Sequence, residues 1–233
     1  MESDAGTGSF PSTHWTVILN ARDPESPQRR QSLDVLAGLY WRPVFAYFRV
    51  KWRRSREDAQ DLTQEFFASL LEKDFLGHVE PDRGRFRGYL KRSLDNFAKR
   101  QHRDAMREKR GGGAVALAFD ETFEPSAEIA PDDIFDHEWA LSVFDAALKA
   151  LKDDCEPHVY ELLVAYDLEP ADPRPTYDAL AARFRLSSSD VGVTLFRARK
   201  KLRDLVLRTV RETASSEAEA EVEMRELFGR TEP

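Results

Sequence analysis

The sequence predicts an all-α protein built as two small helical domains joined by an acidic linker. Three observations carry that expectation. Apolar residues recur at helical spacing along most of the chain, strand-type alternation is nearly absent, and the charges are sorted into blocks. The 233 residues suffice for one large domain or two small ones. With 41% hydrophobic and 33% charged residues, the composition suits a soluble protein with modest cores. No apolar run approaches the ~20 residues of a membrane span.

The elements follow in order. PQRRQSLDVLAGLYWRPVFAYFRVKW places Leu33, Leu36, Ala37, Tyr40, Val44, Phe45 and Phe48 on one helical face, with Pro43 expected to kink or interrupt it. SREDAQDLTQEFFASLLEK opens on Ser55 as N-cap with Asp58 three residues on, an acidic variant of the capping box. Its apolar face is Ala59, Leu62, Phe66 and Leu70; Asp58, Asp61 and Glu65 form an acidic stripe away from it, with Gln64 alongside. RFRGYLKRSLDNFAKRQHRDAMREKR then gathers ten Lys and Arg against three acids, in a chain whose net charge is −7. Phe86, Tyr89, Leu90, Leu94, Phe97 and Ala98 give that helix its core face; Arg92, Asn96, Lys99, Arg103 and Arg107 project elsewhere.

From Gly111 to Glu138 there is no Lys or Arg, and the stretch carries eight acids with Pro125 and Pro131. It reads as a linker over 111–137. HEWALSVFDAALKALKDD and EPHVYELLVAYDL read as two helices, the second with Pro157 in its first turn. A short helix from Tyr177 to Phe184, a turn at Arg185–Ser187 and a longer helix capped by Ser187 with Asp190 follow. Val191, Leu195, Ala198, Leu202 and Leu205 hold the longer helix to its bundle, and Arg197, Arg199, Lys200, Lys201 and Arg203 make it basic. This is a helix-turn-helix pattern, whose second helix enters the DNA major groove. The domains expected are therefore 1–110, the linker 111–137, 138–211 and an acidic tail 212–233.

The chemistry excludes as much as it suggests. One cysteine, Cys155, forms no internal disulfide and reads as an idle thiol in a reducing cytoplasm. The first residues, MESDAGTGSFPSTHW, have neither a basic start nor an apolar segment, so export is not expected. The five histidines stand at no metal-ligand spacing, and no phosphate-loop, dinucleotide or hydrolase motif occurs. We expect no enzyme, no metal and no cofactor. Two basic helices separated by an acid-only stretch are instead two electrostatic footprints for a polyanion.

DAQDLTQEFFASLLE, then EPDRGRFRGYL, a basic helix, an acidic linker and TYDALAARF…LFRARKKLR resemble a bacterial sigma-70 family sigma factor. The resemblance is to the small extracytoplasmic-function group, which keeps only regions two and four, and it covers roughly Leu33 to Leu205. It implies a two-domain helical fold, core RNA polymerase (clamp helices and flap) and promoter DNA as partners, and no membrane. It leaves an anti-sigma partner open. By the same resemblance, Asp58, Asp61, Gln64 and Glu65 would dock on polymerase. The loop 77–85 and the helix after it would capture the −10 element through Arg85, Tyr89, Arg92, Asn96, Lys99 and Arg103. The −35 element would fall to Ser188, Ser189, Phe196, Arg197 and Lys200. Gly192, Val193 and Thr194 depart from the family's usual residues early in the recognition helix, and Arg100 stands where an Asp is common. A stand-alone helix-turn-helix regulator is the alternative, which leaves the DLTQEFF helix without a task, and a helical adaptor without DNA is a third.

The tail, ETASSEAEAEVEMRELFGRTEP, can form an amphipathic helix with Val222, Leu227 and Phe228 as a small apolar edge. The expectation is a solvated, partly disordered tail. The sharper reading lays Glu217, Glu219, Glu221 and Glu223 against the basic recognition helix.

Overall fold

The structure, a computed structural model, describes residues 15–72, 76, 85–110, 133–169 and 171–229. The loop 77–84, the linker residues 111–132 and the side chain of Arg107 lie outside these, and so do the expectations placed on them. Among the described residues every regular element is helical. They are α1 (Thr16–Arg22), α2 (Arg29–Val50), α3 (Arg56–Glu72), α4 (Phe86–Arg110), α5 (Ile134–Asp154), α6 (Pro157–Leu163), α7 (Tyr177–Phe184), α8 (Ser188–Arg211) and α9 (Glu217–Phe228).

Helix α2 is the axis of the first half. It buries Leu36, Leu39, Tyr40, Val44, Tyr47 and Phe48, and α1 covers it with Trp15, Val17, Ile18 and Ala21. Pro43 does not interrupt this helix; it is buried inside an unbroken span. A proline in a helix interior removes one backbone bond and costs ~3 kcal/mol. Here α1, α3 and α5 all pack on α2, and that burial holds the helix through the defect. Ser55 caps α3 as expected, its Oγ accepting from the Asp58 N–H at 3.0 Å. Phe97 of α4 meets Phe48 of α2 at 6.2 Å and Phe66 of α3 at 5.5 Å, which ties the three helices together. Asp95 turns inward, accepting from the Tyr47 hydroxyl at 2.6 Å with Lys51 3.4 Å away.

The second half is joined to the first through α5, which begins at Ile134. One face of α5 packs on α2: Phe135 and Trp139 stack on Tyr40 at 6.3 and 6.2 Å. Arg42 of α2 pairs with Glu138 and, at 3.3 Å, with Asp145. α5 also packs on α8. A single apolar core thus runs from Trp15 to Ala220.

The order of short helix, turn and long helix stands where the sequence puts it. Thr176 caps α7, accepting from Ala179 N at 3.2 Å, and α7 ends on Arg185 in the left-handed region at φ 56°. Ser187 and Asp190 form the reciprocal capping box of α8. Val191, Leu195, Ala198, Leu202 and Leu205 are all buried. Gly192 sits where an added Cβ would lie 3.4 Å from the Tyr177 ring, so α7 and α8 approach closely there. α6 continues into a π-helical turn at Val164–Leu168, closed by Glu169 N–H donating to Val164 O at 2.8 Å.

Candidate nucleic-acid interface

Helix α4 exposes one polar stripe. Arg92, Asn96, Lys99 and Arg103, spaced by four, three and four residues, all face solvent. The opposite face (Phe86, Leu90, Leu94, Phe97, Ala98) is buried, and Asp95 is neutralised by Lys51 against α2. The outward side of α4 therefore presents three cations and one amide over about three turns. Tyr89, on the same side, is half-buried, and desolvation pushes its hydroxyl up from the ordinary value.

The start of α4 has a different fate. Arg85 donates from Nη2 to Glu226 Oε1 at 3.0 Å and from Nη1 to Glu226 Oε2, a bidentate pair. That bond raises the arginine and lowers the Glu226 carboxyl. Arg87 is only 6% exposed. Its guanidinium reaches Asp136 of α5 at 3.3 Å and Glu223 and Glu226 of α9 at 3.6 Å each. Lys91 pairs with Asp136 at 2.9 Å. Three helices thus converge on one ion cluster. Glu223, 3% exposed, is pushed up to about 7, first by burial, with Arg87 pulling it down and Glu219 pushing it up.

On α8 the basic residues divide. Arg199 forks onto Asp167 at 2.8 and 2.9 Å, and Lys201 holds Asp154 at 2.8 Å. Arg211 is taken by Glu217. Arg197 and Lys200 point to solvent beside Phe196 and Val193, which are 67% and 46% exposed. Ser189 is exposed on the same side, its Oγ 2.8 Å from that of Ser187; Ser188 donates to Asp178 of α7. On α3, Asp61, Gln64 and Glu65 are exposed, with Glu65 accepting from Gln101 of α4 at 2.6 Å. Asp58 is different: half-buried, it faces the buried Arg54.

Two expectations for the tail are corrected. It is not a solvated strand of chain; from Glu217 to Phe228 it is helix α9, capped by Ser216 and packed on α5 and α8. Its carboxylates do not lie along α8 either. Glu217 pairs with Arg211, the last residue of α8, while Glu223 and Glu226 reach across to α4. The buried positions are Ala220 and Glu223, and Val222 is half-exposed. The sequence reading assigned Arg85 but passed over Arg87, Lys91, Asp136 and Glu226. An arginine two residues from an assigned one, inside an apolar run (Phe86, Tyr89, Leu90), was the available signal for a buried cation needing partners.

Among the described residues no group of side chains suits a metal ion, and no helix is long and apolar enough to cross a membrane. Residues 40–108 match the family model of sigma-70 region 2. This span holds most of α2, all of α3 and nearly all of α4. Neither a curated protein nor a solved structure matches the chain.

Proposed function

We propose that this chain, which carries a sigma-70 region 2, is a transcription initiation factor of the extracytoplasmic-function group. It binds core RNA polymerase and directs it to promoters through −10 and −35 elements. The observation that carries the reading is the solvent-facing stripe Arg92, Asn96, Lys99 and Arg103 on α4, within the segment that matches region 2. Such a stripe suits melted single strand: cations hold successive phosphates, and an aromatic beside them, Tyr89, stacks a base. Asp61, Gln64 and Glu65 present the exposed acidic face for a basic groove on the polymerase. The second half reads duplex DNA through α8, with Ser189, Phe196, Arg197 and Lys200 at the groove. Arg197 suits a guanine edge, Lys200 suits phosphate, and the Phe196 ring suits a thymine methyl. The factor performs no chemistry of its own and works in the cytoplasm. A stand-alone regulator would leave the α3 acids and the α4 stripe idle.

The test is reconstitution. The full chain is mixed with core polymerase and a library of promoter fragments, and run-off transcripts are scored. Sequence-selective transcripts support the reading. Asp61→Arg should abolish them while leaving the helix content by circular dichroism unchanged, because a reversed charge repels a basic partner. Absence of any complex with core polymerase would sink the reading.

A further inference from the structure

We propose that α9 is a built-in competitor for nucleic acid: Glu226 and Glu223 occupy Arg85 and Arg87 and must leave before that end of α4 can hold phosphate. The proposal rests on the reading of α4 as a DNA-binding helix. The seat is of the right kind. Arg85 holds Glu226 through two parallel N–H donors, the same planar fork that grips a phosphate. The Arg85 side chain lies at the head of the stripe that continues through Arg92, Lys99 and Arg103. A phosphate backbone following that stripe would meet α9 at Arg85.

The occupant is also of a kind that can leave. Among the described side chains, the fully buried apolar contacts of this region are two alanines, Ala214 and Ala220. Alanines bury little apolar area, and Met224 is only partly buried against the core, so these described side chains add a modest hydrophobic hold. Glu223 is buried beside Glu219 and Glu226, which share its sign, and its burial is costly. α9 follows α8 after only the residues 212–216. Tethering of that kind supplies an effective concentration in the millimolar range, so modest contacts suffice to close the seat.

Promoter geometry requires the closed form to open. Elements centred ~25 base pairs apart lie ~85 Å apart along B-DNA at 3.4 Å per step. A compact globule of this length is only ~45 Å across. With α5 packed on both α2 and α8, one closed chain cannot touch both elements. Residues 111–132 could reach roughly 75 Å fully extended, so once α5 leaves α2 the covalent chain permits the separation. α9 bonds to α4 and packs on α5 and α8, so it locks that same seam.

The experiment uses the full chain, its Glu226→Gln variant and the Glu223→Gln, Glu226→Gln double variant. Each is titrated against a fluorescent single-stranded oligonucleotide across a salt series. Glu226 is a solvent-facing side chain, so its variant should keep the fold, checked by circular dichroism. The single variant should bind roughly 5- to 10-fold more tightly than the parent at ~0.05 M salt and the double variant at least as tightly, the gap narrowing as salt screens the clasp. Hydrogen exchange over residues 217–228 should quicken when the parent binds the oligonucleotide. Equal affinity of parent and variants at every salt concentration, or undiminished α9 protection in the bound state, overturns the proposal. So does failure of all three chains to bind, and run-off transcription by the parent then shows whether the DNA-binding reading falls with it.

Discussion

The guanidinium of Arg87 lies 4.8 Å from the centre of the Trp139 ring, so a charge on α4 is stacked on an aromatic of α5. Both side chains are buried, and the acids that answer the charge come from α5 and α9. One residue therefore couples three helices, drawn from both halves of the chain. A cation on an aromatic face contributes most when it is desolvated, as here.

Arg87→Met should destabilise the chain by ~3–5 kcal/mol in urea unfolding, because it leaves Glu223 buried without its closest counter-charge, while Asp136, a third exposed, keeps Lys91. Adding Glu223→Gln to Arg87→Met should recover part of the loss, since an uncharged side chain needs no cation. A loss below ~1 kcal/mol in the single variant would show that the cluster does not hold the halves together.

Stability should also depend on pH through Glu223. Its folded value is pushed up to about 7, by burial above all, against the ordinary 4.5 of an unfolded chain. Between those values the folded state keeps a proton that the unfolded state has lost. The contribution is therefore full below ~4.5 and is lost as pH climbs through 7. The groups facing Glu223 are Arg85 and Arg87 at the head of α4, Glu219 and Glu226 on its own helix, and Tyr40 on α2. Asp136 on α5 acts through Arg87. The parent should melt a few degrees lower at pH 8 than at pH 5.5, and Glu223→Gln should remove most of that difference. Parallel pH profiles for the two chains would refute it.

The split among the α8 cations gives a paired prediction. Arg197→Ala should weaken binding to −35 duplex by ~1–3 kcal/mol, the range of a bidentate guanine contact. Arg199→Ala should leave DNA affinity nearly unchanged, because its fork is already spent on Asp167. Its cost should be in stability, at most ~1 kcal/mol for so exposed a pair. Equal losses of affinity in both variants, measured by anisotropy, would contradict the division.

Residue spacing foretold the caps at Ser55 and Ser187, the turn at Arg185–Ser187 and the buried positions of α3, α4 and α8, because all of these are set within a few residues. What lay beyond reach was set by residues far apart in sequence. Spacing cannot say that Arg199 is paired with Asp167 while Arg197 faces solvent, since the pairing depends on the π-helical turn that aims Asp167. Nor can it say that Glu226 would find Arg85, 141 positions earlier. That Pro43 leaves α2 uninterrupted depends on the three helices packed around it, which local propensity does not see.

Gly192→Ala should stabilise the chain by ~0.5–1 kcal/mol. A glycine inside a helix costs that much relative to alanine, and the new Cβ would rest in ordinary contact, 3.4 Å from the Tyr177 ring. A lower melting temperature would mean that α7 and α8 are already packed to their limit.

The stack of Tyr40, Phe135 and Trp139 makes the seam between the halves visible to light. Trp139 is wholly shielded by groups from both sides, whereas Trp15 is buried within the first half and Trp41 is partly exposed already. If α5 parts from α2, Trp139 exchanges a dry aromatic stack and a guanidinium for water. Its emission should then move to longer wavelength, while that of Trp15 stays put. The chain carries its own optical gauge of closure, readable in a stopped-flow cell without a dye as DNA or polymerase arrives.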